Sequence, residues 1–216
     1  MSEVERHPFE PFLPVGCKML MLDSFPPAPR RWCMEFYYPN FTNDMWRILG
    51  YIFFKDKDYF VDHSKETFYL DKLKDFLTRE RIGQCNIAAT ACRKNGTAAD
   101  KGLKVIEPLD IAKLLRESSD CKILVTTGGL ATKELRKTLI RRDLIMIDEK
   151  SREYSIPSRL KVGESVRFIF KENYREMSLY RMPSSSPAYP MKIDRKAEIY
   201  AKMFKELGML IDKENN

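Results

Sequence analysis

CKILVTTGGLATKELRKTLIRRD, residues 121–143, decides the fold. Its first part is a short apolar run bounded by Gly128 and Gly129, the mark of a buried strand that stops at a tight loop. The second part, 130–143, reads as a helix. Outward from this unit the same order recurs. KMLMLDSF (18–25) is an apolar run halted by the prolines of PPAP (26–29). DMWRILGYIFF (44–54) has apolar residues at 45, 46, 48, 49, 52 and 53, a helical spacing, with Thr42 or Asn43 at its N-cap. SKETFYLDKLKDFLTRE (64–80) repeats apolar positions at 68, 69, 73, 76 and 77 as a second helix. QCNIAAT (84–90) follows as a buried strand, and PLDIAKLLRES (108–118) as a helix opened by Pro108. The alternation of strand, loop and helix predicts a three-layer αβα fold of the α/β class. Its central sheet is expected to be mostly parallel and four-stranded, with MSLYRM (177–182) as the fourth strand. Residues 152–172 break the pattern: REYSIPSRL and ESVRFIF alternate apolar and polar residues around LKVGES, as in a small β-hairpin insertion. DRKAEIYAKMFKELGML (194–210) is a last amphipathic helix.

The 216 residues, 44% hydrophobic and 12% aromatic, suffice for one core, so a single domain over 1–216 is expected. No run of about 18 apolar residues and no leader pattern occurs, so neither a membrane span nor a signal peptide is expected and a cytoplasmic location follows. Five scattered cysteines without a C-x-x-C pair argue against a disulfide framework and against zinc or iron–sulfur ligation. No metal and no cofactor is therefore expected. The 38 basic residues against 31 acidic ones, a net charge of +7, favour anionic partners.

In an open parallel sheet, ligands bind beyond the carboxyl ends of the strands. Three loops meet there: DSFPPAPRR (23–31) with YYPNFTN (37–43), TTGG (126–129) and PSSSPAYP (183–190). Histidine chemistry is set aside, because His7 lies near one end and His63 in a charged stretch outside these loops. A serine hydrolase built on LDSF would need a histidine beyond residue 63, and none follows. TTGG can offer backbone N–H groups to an anion, yet it lacks the lysine and spacing of a phosphate-binding P-loop and the G-x-G-x-x-G pattern. PSSSPAYP sets three hydroxyls between prolines, either a stiff loop for phosphates or only a rigid turn. YYPNFTNDMW (37–46) either fills the core and caps the next helix or lines a site.

In this order and spacing the loops resemble the uracil-DNA glycosylase superfamily. MLMLDSFPP (19–27) is similar to its first motif, a glycine, two variable residues and a proline after the first strand. YYPNFTNDMW resembles the aromatic, asparagine and tryptophan segment of the hypoxanthine-type and mismatch-specific branches. MPSSSPAY (182–189) is similar to the second motif of the hypoxanthine-type branch, and the likeness runs from about residue 16 to 207. The resemblance implies a monomeric, monofunctional DNA glycosylase that flips a deaminated base, uracil or hypoxanthine, out of DNA and hydrolyses its N-glycosidic bond in base-excision repair. A damage-recognition protein of the same fold with little activity is the alternative.

By position in those motifs, Asn43 holds the attacking water and binds the base, with Asn40 competing for the role, and Tyr38 stacks on the flipped base. Ser24 and Phe25 line the base pocket. Pro183, Ser184, Ser185, Ser186, Pro187 and Tyr189 meet the DNA, with Tyr189 filling the gap the base leaves. Three positions depart from the pattern. Asp23 stands where the first glycine is usual, Phe25 where many relatives carry a catalytic Asn or Asp, and Met182 where the uracil-specific branch has histidine. A carboxylate beside DNA phosphates must be buried and paired or must activate water, which makes Asp23 the second catalytic candidate.

Overall fold

A computed structural model describes residues 4–94, 102–146 and 156–210. In chain order its elements are β1 (Val4–Arg6), β2 (Met19–Asp23), α1 (Met45–Phe54), β3 (Val61–Asp62), β4 (Thr67–Phe68), α2 (Leu70–Arg79), β5 (Ile82–Asn86) and β6 (Ala88–Arg93). There follow β7 (Leu103–Pro108), α3 (Ile111–Glu117), β8 (Ile123–Thr127), α4 (Gly129–Arg141), β9 (Ser165–Phe170), β10 (Arg175–Met182) and α5 (Ile193–Glu206).

Alternation along β2 builds the layers. Met19 and Met21 pack with α1, α2 and α5, while Leu20 and Leu22 pack with α3 and α4. A strand covered on both faces needs apolar residues at every position, which is why KMLMLD shows no polar alternation. Trp46, Ile48, Leu49 and Ile52 turn one stripe of α1 into the first layer, and Leu135 and Leu139 of α4 do the same in the second. Each such side chain contributes about 1.5–3 kcal/mol on burial.

The central sheet runs β5-β2-β8-β10-β9. The first four strands are parallel and β9 is antiparallel to β10, so the sheet has five strands and is mixed, rather than four-stranded. The correction comes from the hairpin. ESVRFIF does not pair back onto REYSIPSRL; as β9 it pairs forward with β10, Phe170 opposite Arg175. Four residues, 171–174, close that turn, with Tyr174 in the left-handed region at φ 54°, and a short loop closes at less entropic cost than a long one. The hairpin thus spans 165–182 instead of 152–172, and the expected strand at 152–155 lies outside the described residues.

A second sheet, β1-β6-β7, has no counterpart in the sequence reading. QCNIAAT divides at Ile87: β5 stays in the central sheet, while β6 leaves it to pair antiparallel with β1 and β7. Pro108 ends β7 and does not open α3, whose cap is Asp110, accepting from the Lys113 N–H at 3.2 Å. The front of the expected 64–80 helix is the small β3–β4 ladder, so α2 starts only at Leu70.

Both outer strands carry backbone on their free side. Phe12 exchanges two hydrogen bonds of 2.9 Å with Gln84 of β5, and Ile145 bridges Phe170 of β9. Among the parallel strands the chain goes from β2 to β5 on one side, then returns to β8 on the other. Strand order therefore switches between β2 and β8, where a crevice opens at the carboxyl ends.

Candidate functional site

Asp23 ends β2 at this switch point, its Oδ1 accepting from the Ser24 N–H at 2.8 Å. Tyr38 crosses to β8: its hydroxyl lies 3.2 Å from Thr127 Oγ1, and its ring stands edge-on to Trp46 with centroids 5.6 Å apart. Burial, reinforced by the charge of Asp23, pushes the Tyr38 phenol far above its ordinary range. Tyr200 of α5 is shifted upward by the same two causes, and its hydroxyl donates to Pro183 O at 2.9 Å. Asp23 thus faces two phenols that stay neutral.

Lys196 joins the two remaining loops. Although fully buried on α5, its Nζ donates to Asp44 Oδ2 at 2.7 Å and to Ser186 O at 2.9 Å, and the Asp44 N–H donates to Ser185 O at 3.0 Å. A buried ammonium is tolerated only when paired and hydrogen-bonded in this way. The serine loop is also braced from within. Ser184 Oγ accepts from Ser186 N–H at 3.2 Å, and Ser186 Oγ from Ala188 N–H at 3.3 Å. Pro183 and Ser185 are buried, Pro187 is exposed, and Tyr189 is half-buried with Lys196 Nζ 5.8 Å from its ring centre. Ser185 Oγ has no hydrogen-bond partner among the described residues.

The other sequence-predicted residues are placed as follows. Asn43 takes the α1 cap, its Oδ1 accepting from Met45 N–H at 2.9 Å. Thr42 instead gives its N–H and hydroxyl to Asn40 Oδ1, which holds Asn40 in a turn. Ser24 and Phe25 are buried. The Phe25 ring stands edge-on to His7, centroids 5.4 Å apart, with the Arg93 guanidinium 5.3 Å from it. The fold therefore gathers Asp23 and Tyr38 at the strand ends, and Asn43–Asp44 against Ser185–Ser186 at the rim.

Beside the carboxyl end of β5 lies a cavity of about 250 Å³, whose lining includes His7, Phe9, Tyr37, Asn86 and Glu107 and none of the residues singled out in the sequence. Asn86 is the direct neighbour of Asp23 in the β2–β5 ladder. His7 arrives because β1 pairs with β6, its N–H donating to Ala89 O at 2.8 Å. Its Nε2 lies 2.9 Å from Asn86 Oδ1 and its Nδ1 2.7 Å from Phe9 O. Burial dominates the ring's environment and lowers its pKa below the ordinary imidazole value. An amide ending the apolar strand QCN is the signal that points to Asn86. Nothing local to HPFEPF announces the pairing that delivers His7.

Among the described residues, no group of His, Cys, Asp or Glu is arranged to hold a metal ion, and no helix is long and apolar enough to cross a membrane. Neither protein-family models nor curated protein sequences match the chain. Among solved structures it is similar to the solution NMR structure of a candidate uracil DNA glycosylase from Methanosarcina acetivorans, with a TM-score of 0.58 and 18% identity, covering 95% of this chain and 99% of that one. At that identity, the likeness establishes a shared fold over nearly the whole of both chains.

Proposed function

We propose that the chain is a monofunctional DNA glycosylase that hydrolyses the N-glycosidic bond of a deaminated base, uracil or hypoxanthine, in DNA. The observation that carries this reading is the convergence of Asp23, Tyr38 and Asn86 at the strand ends beneath a hydroxyl-bearing loop clamped at the rim by Lys196. The shared fold with a candidate uracil DNA glycosylase supports it.

In this reading the flipped base enters from the rim, and Asn86 and Asn43 offer amide groups to the base and to water. An amide cannot take a proton from water, so the carboxylate of Asp23 does so, and it also opposes the positive charge that develops on the sugar. Tyr38, held neutral, packs against the base, while Ser24 and Phe25 form walls and Asn40 shapes the turn that presents Asn43. Pro183, Ser184, Ser185, Ser186, Pro187 and Tyr189 form the DNA-facing rim, working by position rather than by charge.

The test is cleavage of oligonucleotides containing uracil or hypoxanthine, followed by alkali to cut abasic sites. Wild type is expected to cut, and Asp23→Asn to slow it by about 10²–10⁴. Equal rates for Asp23→Asn and wild type would remove Asp23 from the chemistry. Salt-dependent binding without any cleavage would instead favour a damage-recognition protein.

A further inference from the structure

His7 is held on every side. Its ring is stacked on Tyr37 at 6.0 Å between centroids and set edge-on to Phe9 and Phe25, so it cannot rotate freely. Nε2 meets Asn86 Oδ1 at 2.9 Å. Nδ1 has two backbone neighbours, the Phe9 N–H at 3.1 Å and the Phe9 carbonyl at 2.7 Å. The charged groups lining the same cavity are Arg6, Glu10 and Glu107.

We propose that His7 is a positioning residue that fixes the Asn86 amide with its N–H₂ toward the crevice, so that the site accepts a base edge carrying a carbonyl oxygen and refuses one carrying an amino group. The inference rests on the reading of Asn86 as the amide that faces the base.

The argument is one of proton counting. In the neutral form that carries its proton on Nε2, the ring donates to Asn86 Oδ1 while Nδ1 accepts from Phe9 N–H. In the imidazolium, Nε2 still donates to Oδ1 and Nδ1 donates to Phe9 O. Both forms engage the amide oxygen and leave the two amide N–H groups for a ligand. Uracil and hypoxanthine present a carbonyl oxygen where cytosine and adenine present an amino group, so a donor at this point separates the deaminated bases from their parents. Only the Nδ1–H tautomer would turn Asn86 over and reverse the preference.

Two measurements on the full chain decide the matter. The chain has two histidines, so ¹⁵N-histidine labelling with His63→Gln as the assignment control resolves the His7 tautomer by long-range ¹H–¹⁵N correlation. A proton on Nε2 is expected; a neutral ring with its proton on Nδ1 alone overturns the proposal. The second measurement is the ratio of binding and cleavage between uracil and cytosine at one position of the same oligonucleotide. His7→Phe keeps the aromatic cage without the N–H and is expected to lower that ratio about tenfold, one hydrogen bond's worth, with Tm and salt dependence unchanged. His7→Gln, which restores a donor, is expected to recover part of it. An unchanged ratio in His7→Phe overturns the proposal. Absence of both binding and cleavage in wild type would overturn the glycosylase reading instead, and the tautomer would still decide how Asn86 is held.

Discussion

Tyr38 combines a left-handed backbone, φ 50°, with a buried ring that spans the crevice from β2 to β8. A side chain in that conformation costs about 1–2 kcal/mol, and the contact with Trp46 and the bond to Thr127 offset it. His7 has the opposite character, since it is titratable where Tyr38 is inert. Burial lowers its pKa in the folded chain, whereas the unfolded chain keeps an imidazole near the ordinary 6.5. The unfolded state therefore binds more protons between the two values. Stability should be complete above about pH 6.5, fall as the pH drops through that value, and level off below the folded pKa. Urea denaturation between pH 8 and pH 5, as a range of about three units around that midpoint, should show this slope in wild type and a shallower one in His7→Phe. Equal slopes would show that His7 is not the group responsible.

The elements that could be read from local spacing were α1, α4 and α5, because a stripe of apolar side chains every three or four residues needs no partner to be visible. β9 could not be paired from its sequence, since alternation marks a strand without naming the strand opposite. Lys196 sits one turn before Tyr200 on the buried stripe of α5, a charged residue where an apolar one would serve, and only the fold supplies its partners Asp44 and Ser186. Of the site, Asp23, Tyr38 and the serine loop were legible because they end strands or carry a motif. Asn86 and His7 were not, because 79 residues separate them. Lys196→Ala should strip Asp44 of its counter-ion and free both rim loops. The expected loss is about 3–5 kcal/mol, or on the order of 10 °C in Tm by calorimetry. A loss below about 1 kcal/mol would mean that the pair behaves as an exposed surface contact.

At the scale of the molecule, the return of the chain from β5 across β2 to β8 explains why loops distant in sequence share one rim. The same order leaves β5 and β9 outermost, and each is met by a single strand-like bridge, Phe12 on Gln84 and Ile145 on Phe170. Phe12→Pro removes the N–H that bonds Gln84 O, whereas Phe12→Ala keeps it. Light scattering at rising concentration should show self-association for the proline variant and not for the alanine variant; identical behaviour would mean that ring packing, not the backbone bond, guards the edge. An unpaired outer strand is a template onto which another chain can polymerise. By spending two short segments on its own sheet, this chain keeps a β-rich interior from seeding fibres.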